Sequence, residues 1–251
     1  MTHYDRGSAR AIPAGHADMA VDAGLRAFML GVYNKVALGL VLSGLLAYVT
    51  SSVPAVRDLL FTVTPTGRLA GYTVLGMVLA FSPLVILLGS AFLMRNATPR
   101  SAGILYWTIV SLIGASMGTV FLRYTGESVA STFFVTAAAF GALSLFGYTT
   151  KKDLSGLSTF LMIGLVGIIL AMIVNIFLQS PAIMFVVGVA GVLIFAGFTA
   201  YDTQRLKMTY HELGGNQSAL GVATSYGALS LYLDFINMFQ FLLFFLGGNR
   251  E

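Results

Sequence analysis

Long apolar runs alternate along this chain with short polar breaks, and their spacing sets the first expectation. Seven runs reach the length of a bilayer-spanning helix: roughly residues 28–50, 70–94, 102–122, 130–148, 158–179, 182–204 and 226–247. About 20 mostly apolar residues, rising about 1.5 Å each, suffice to cross the hydrocarbon core. The breaks are rich in turn formers or charges: SSVPAVRDLLFTVTPTGR, RNATPR, RYTGES, TKKDLSG, QSP and the longer RLKMTYHELGGNQSALGVATS. This pattern predicts an all-α integral membrane protein with seven transmembrane helices. No break leaves room for a soluble module, so residues 25–251 are expected to form one seven-helix transmembrane domain. The polar, small-residue-rich stretch before it, residues 1–24, reads as a cytoplasmic N-terminal tail; the first apolar run is too long for a signal-peptide core and lacks a convincing cleavage site.

Composition agrees with the pattern. Of 251 residues 57% are hydrophobic and only 10% charged, with a mean hydropathy of +0.85, whereas soluble domains carry roughly 25% charged residues. Cysteine is absent and the three histidines, His3, His16 and His211, fall outside the apolar runs, so disulfides are excluded and neither a zinc site nor a cofactor is expected. The net charge of +4 reflects loop placement in such a chain; it points to no nucleic-acid partner, and the expected partner is the lipid bilayer. With the N-terminus inside, the cytoplasmic side holds Arg6, Arg10, Arg26, Arg95, Arg100, Lys151, Lys152, Arg205 and Lys207. Arg57, Arg68, Arg123 and Arg250 lie on the other side, so the positive-inside bias favours N-in and C-out.

Several polar or special residues inside the runs have plain structural readings. Pro83 is expected to kink the second span. Gly39, Ser43 and Ala47, and Gly114 and Gly118, recur at four-residue spacing and suit close helix packing. Asn175 reads as interhelical hydrogen-bond glue, and Lys35 as a side chain snorkelling to the interface. His211 and Glu212 read as residues of a solvated loop.

Two aspartates resist such readings. Asp234 lies inside SLYLDFINMFQFLLFFLGG at 230–248, and Asp202 near the end of GVLIFAGFTAYDTQ at 191–204. An ionisable side chain in a bilayer costs about 2.5–3.5 kcal/mol on insertion scales and usually faces an interior or a water-filled path. The sixth and seventh runs are consecutive, and Asp234 falls about 12 Å into the seventh. The two carboxyls therefore reach comparable depth, provided the sixth helix continues a turn past Gln204. Arg95 closes the second span at the same membrane side. Two carboxylates a few ångströms apart in a low-dielectric setting do not both ionise easily, so such a pair shares a proton and titrates as a unit. Arg95 could bind Asp202 bidentately in a competing arrangement. Deprotonated, Asp202 and Asp234 suit a hard cation such as Ca²⁺, with Asn237 one turn along as a supporting polar group. A purely structural pair that fixes helix packing is the alternative.

Three segments carry a resemblance to a known family: AYDTQRLK at 200–207, ALSLYLDFINMF at 228–239 with LLFFLGGNR after it, and SPLV at 82–85. The chain resembles the bacterial branch of the transmembrane Bax inhibitor motif family, also called the Bax inhibitor-1 family. Seven spans of this length and order extend the resemblance over nearly the whole chain. It implies a fold in which six helices wrap a central seventh, the one carrying Asp234. It also implies a pH-sensitive Ca²⁺ leak, gated by a proton-sharing pair at Asp202 and Asp234 with Arg95 as latch, in a bacterial inner membrane. A second role comes from the same resemblance: a non-transport regulator that binds a membrane quality-control protease or another stress-response partner.

An enzyme is not expected. Intramembrane aspartyl proteases place aspartates on their sixth and seventh helices, and Tyr201-Asp202 superficially fits. Their second motif needs small residues for close approach, whereas bulky Leu231, Tyr232 and Leu233 precede Asp234 and a downstream Pro-Ala-Leu is missing. A retinal protein would need a Schiff-base lysine, which the seventh run lacks.

Overall fold

A computed structural model describes residues 14–93 and 96–248. Along the chain they form α1 (Ala14–Ser52), α2 (Pro54–Leu60), β1 (Phe61–Val63), β2 (Leu69–Tyr72), α3 (Val74–Leu93), α4 (Pro99–Ser116), α5 (Gly118–Arg123), α6 (Gly126–Thr149), α7 (Ser155–Leu178), α8 (Pro181–Glu212) and α9 (Gln217–Leu246). The molecule is an all-α multi-pass membrane protein with one small hairpin. Among the described residues, six helical stretches are long and apolar enough to cross a bilayer: the body of α1, α4 together with α5, and α6 through α9. The remaining expected span falls on α3, whose apolar stretch Val74–Ser90 is shorter. α1 starts at Ala14, so its first turns lie within the segment expected as a tail.

The polar breaks act as caps. Thr98 accepts from the Ser101 N–H at 3.2 Å and Ser101 Oγ accepts from the Thr98 N–H at 2.9 Å, with Pro99 opening the helix, so Thr98 to Ser101 is a capping box. Thr125 accepts from the Ser128 N–H at 3.3 Å to start α6, and Asn216 from the Ala219 N–H at 3.1 Å to start α9. Asn175 corrects its sequence reading. Among the described residues it bonds no side chain of another helix; its side-chain oxygen accepts from the Ser180 N–H at 2.9 Å and closes the tight α7–α8 turn, where Gln179 takes a left-handed φ of 48°.

Two connections differ from expectation. Residues 61–72 form an antiparallel hairpin, pairing Phe61 with Tyr72. Thr64 donates its N–H to Arg68 O at 2.8 Å across a turn where Gly67 has φ 79°. Aromatic and β-branched residues around a Thr-Pro-Thr-Gly turn favour strand over helix, so α3 starts at Val74 rather than near residue 70. Between α8 and α9 the long predicted break shrinks to residues 213–216, with Gly214 and Gly215 at φ 54° and 83°. This stretch holds the adjacent glycines, both at positive φ. RLKMTYHE and QSALGVATS are polar yet helix-compatible, and they extend both helices beyond the apolar runs. His211 and Glu212 thus belong to the last turn of α8.

α9 occupies the centre and packs against α8, α1, α4 and α6. Leu231, Tyr232, Met238 and Leu243 on it are fully buried. α7 packs on α8 and α3 chiefly on α4, so these two form an outer layer, and the expected wrapping of the central helix is direct for four helices. Lipid supplies no hydrophobic drive between spanning helices, so close approach of small residues has to hold them. At Gly114 an added Cβ would strike the Ser43 backbone, and at Gly147 the Ala200 carbonyl. Ser43 is more than a spacer: it donates to Val110 O at 3.1 Å and shares a 2.6 Å hydrogen bond with Tyr232, tying α1, α4 and α9 together. The outer face of α7 presents Leu170, Ile173 and Phe177 to the surroundings, as a lipid-facing helix does.

Candidate functional site: a buried carboxyl pair

α8 continues past Gln204, as the sequence argument required, and the tight turn to α9 brings Asp202 and Asp234 face to face. Each is 5% exposed, and the two carboxyl groups are neighbours close enough to interact electrostatically. Two carboxyls this close and this far from water do not both ionise easily. Among the described residues, the Asp234 oxygen Oδ2 is buried with no hydrogen-bond partner.

The charge facing the pair is Arg205. Its Nη2 lies 3.2 Å from Asp202 Oδ1, one turn along α8, and donates to Ser230 Oγ on α9 at 3.1 Å. Arg205 thus links the Asp202 carboxylate of α8 to the Ser230 hydroxyl of α9. Arg205 remains half-exposed and its guanidinium lies 5.7 Å from the Tyr201 ring centroid. The sequence reading counted Arg205 only as a cytoplasmic charge and did not single out Ser230. The i, i+3 spacing from Asp202 was the available signal for the arginine; Ser230 carries no comparable sequence signal.

Arg95, expected as the latch, lies outside the described residues. Asn237 lines the same groove as both aspartates, but its amide donates to Leu233 O of its own helix at 2.8 Å. That groove has a volume of ≈ 1290 Å³ and runs from Asp202 and Arg205 at one end to Tyr72 and Arg123 at the other. Among the described residues, no group of three or more His, Asp and Glu could hold a metal ion.

Polar contacts from neighbouring elements fix this end of the bundle. Tyr33 of α1 meets Thr203 at 3.4 Å. Lys35 does not snorkel outward as expected. Its ammonium donates to Ser225 of α9 at 2.6 Å, because the buried Ser225 hydroxyl offers an acceptor inside the bundle, while Tyr106 donates to the Lys35 carbonyl at 2.6 Å. On the other side, buried Gln204 donates to Lys152 O at 2.7 Å and accepts from the Leu154 N–H at 2.8 Å, which pins the α6–α7 connection to α8. In that connection the Ser155 hydroxyl, then its N–H at 2.8 Å, hold the Asp153 carboxyl below its usual range.

Comparison with known proteins places this geometry in context. The family model described as Inhibitor of apoptosis-promoting Bax1 matches residues 25–251. A Caulobacter vibrioides protein is 70% identical over 251 residues, covering all of both chains. The Escherichia coli inner membrane protein YbhL is 42% identical over 229 residues, 91% of this chain and 94% of its own. Protein RP147 of Rickettsia prowazekii is 39% identical over 230 residues, 92% and 93% of the two chains.

Proposed function

The chain belongs to the Bax inhibitor-1 family, and on that premise we propose that it is a pH-sensitive calcium leak of a bacterial inner membrane, gated by the Asp202–Asp234 pair. The observation that carries the reading is the meeting of two buried carboxyls from α8 and α9 beside the groove, with Asp234 Oδ2 lacking a hydrogen-bond partner among the described residues. In this reading the shared proton joins the two helices at their middle. Loss of the proton replaces an attractive bond with like-charge repulsion and leaves two carboxylates beside a groove that a hard cation can enter. Ca²⁺ takes six to eight oxygens in a stable site. Two carboxylates with Ser230 and Asn237 nearby offer fewer, which suits passage of the ion as cargo rather than storage.

Arg205 already stands at Asp202, so Arg95 acts as latch only by competing with it. In this reading α3 crosses the bilayer together with the six long apolar stretches, the termini lie on opposite sides with the N-terminus inside, and the location is an inner membrane, as it is for YbhL. Catalysis plays no part in the proposal.

The test is Ca²⁺ influx into proteoliposomes across a pH series, wild type beside Asp202→Asn and Asp234→Asn. Influx that depends on pH in the wild type and is fixed or abolished in both variants supports the leak. A folded wild type with no influx at any pH rejects it in favour of a structural pair and a regulatory, partner-binding role.

A further inference from the structure

The groove that reaches the aspartates has a second, differently built end. Along α9 it extends from Ser230 to Phe244, about 21 Å at about 1.5 Å per residue, or some two-thirds of a hydrocarbon core about 30 Å thick. Its middle is walled by apolar side chains, among them Phe195 and Phe198 of α8 and Met172 of α7. Leu84 of α3 and Met172 line it while remaining 56% and 44% exposed, so the groove opens sideways between the two outer helices. In a bilayer that opening faces acyl chains. At its far end stands Arg123, the last residue of α5, exposed. Among the described residues, no carboxylate lies within ion-pair distance of its guanidinium; the ion pairs there are Arg57 with Asp58 and Arg205 with Asp202. Its neighbour Tyr124 packs against Gly247 just past the end of α9, and the Thr125 N–H donates to Gly248 O at 3.0 Å, so the arginine is mounted on a fixed corner.

A cation without a carboxylate partner among the described residues, at the mouth of a lipid-facing apolar groove, matches one chemistry: an anionic headgroup with a hydrocarbon tail. We propose that this groove binds one anionic phospholipid from the leaflet on the hairpin side, its phosphate at Arg123 and one acyl chain lying between α3 and α7 against Phe195 and Phe198. The two ends of the groove then divide their roles. The carboxyl pair controls the end nearer the α8–α9 turn, and the lipid tail fills the apolar stretch between Asp234 and the opposite face of the membrane. Lipid occupancy does not depend on the leak reading, because it is measured without ion flux.

Native mass spectrometry of the full chain, equilibrated with equal amounts of phosphatidylglycerol and phosphatidylethanolamine, tests the site. The wild type should retain one phosphatidylglycerol with a preference of about five-fold, the size one basic residue confers at a membrane surface. Arg123→Gln should erase that preference, and Met172→Trp or Leu84→Trp, which fill the groove from its lipid-facing side, should lower retention of both lipids. Arg68→Gln, an exposed arginine on the hairpin, should change nothing. Wild-type selectivity in Arg123→Gln, wild-type retention in both tryptophan variants, or an equal loss of selectivity in Arg68→Gln would each overturn the proposal.

Discussion

The guanidinium of Arg205 stands 3.2 Å from the Asp202 carboxylate, one turn along the same helix, and reaches across to Ser230 on α9. This places a positive charge on one member of the buried carboxyl pair and leaves the other member, Asp234, with an oxygen that has no partner among the described residues. The asymmetry makes the two aspartates unequal although they lie at the same depth.

Substituting the arginine should therefore move the pH response of Ca²⁺ flux. Arg205→Lys keeps the charge but loses the planar fork that serves Asp202 and Ser230 together, so its midpoint should fall between those of wild type and Arg205→Gln. Flux titrations of the three proteins check the order; three coincident midpoints would remove Arg205 from the mechanism.

Tyr232 is fully buried and shares a 2.6 Å hydrogen bond with Ser43. Tyr232→Phe should destabilise the fold by about 1 kcal/mol, the usual size of one interhelical hydrogen bond in a membrane, without changing the pH midpoint. Unfolding in mixed micelles measures the first effect and flux the second.

Gly114→Leu should be far worse. Its side chain would enter the Ser43 backbone of α1, and overpacking of a tight contact costs about 1–3 kcal/mol or more. Loss of the folded form on size-exclusion chromatography is the expected result, with Gly103→Leu, which meets open space, as the tolerated control.

Gln204→Ala removes both bonds that hold the α6–α7 connection. Amide exchange at Leu154 should quicken by roughly ten-fold, the consequence of losing about 1–1.5 kcal/mol of hydrogen bonding, while α9 exchanges as before.

Topology is directly accessible because the chain contains no cysteine. Asn216→Cys, in the α8–α9 turn, should react with a membrane-impermeant maleimide only after the cells are opened. Thr66→Cys, at the hairpin tip, should react in intact spheroplasts. The reverse pattern would invert the N-in assignment.

Much of this arrangement is legible in the sequence. Two aspartates within apolar runs, on consecutive helices joined at one membrane face, are rare enough in energy terms to mark a site, and they do meet. The features that escaped share a cause. Hydropathy locates where a helix crosses lipid, but it is silent on where a helix continues in polar sequence, so Arg205 was assigned to a loop although α8 runs on through it to Glu212. The hairpin at 61–72 was absorbed into a loop and the start of a span, because a four-residue apolar strand resembles a helix end by composition alone. Lys35 and Asn175 found partners, Ser225 and the Ser180 N–H, that only the three-dimensional arrangement identifies.

The central claim is that one proton is held between Asp202 and Asp234 and leaves as the path changes state. Infrared spectra of the protein in lipid nanodiscs across a pH series address it directly. The expected result is a protonated-carboxyl band that fades over the pH range in which flux changes and shifts in frequency in both Asp202→Asn and Asp234→Asn. A band absent at every pH, or one unaffected by either substitution, would contradict the shared proton and with it the gate.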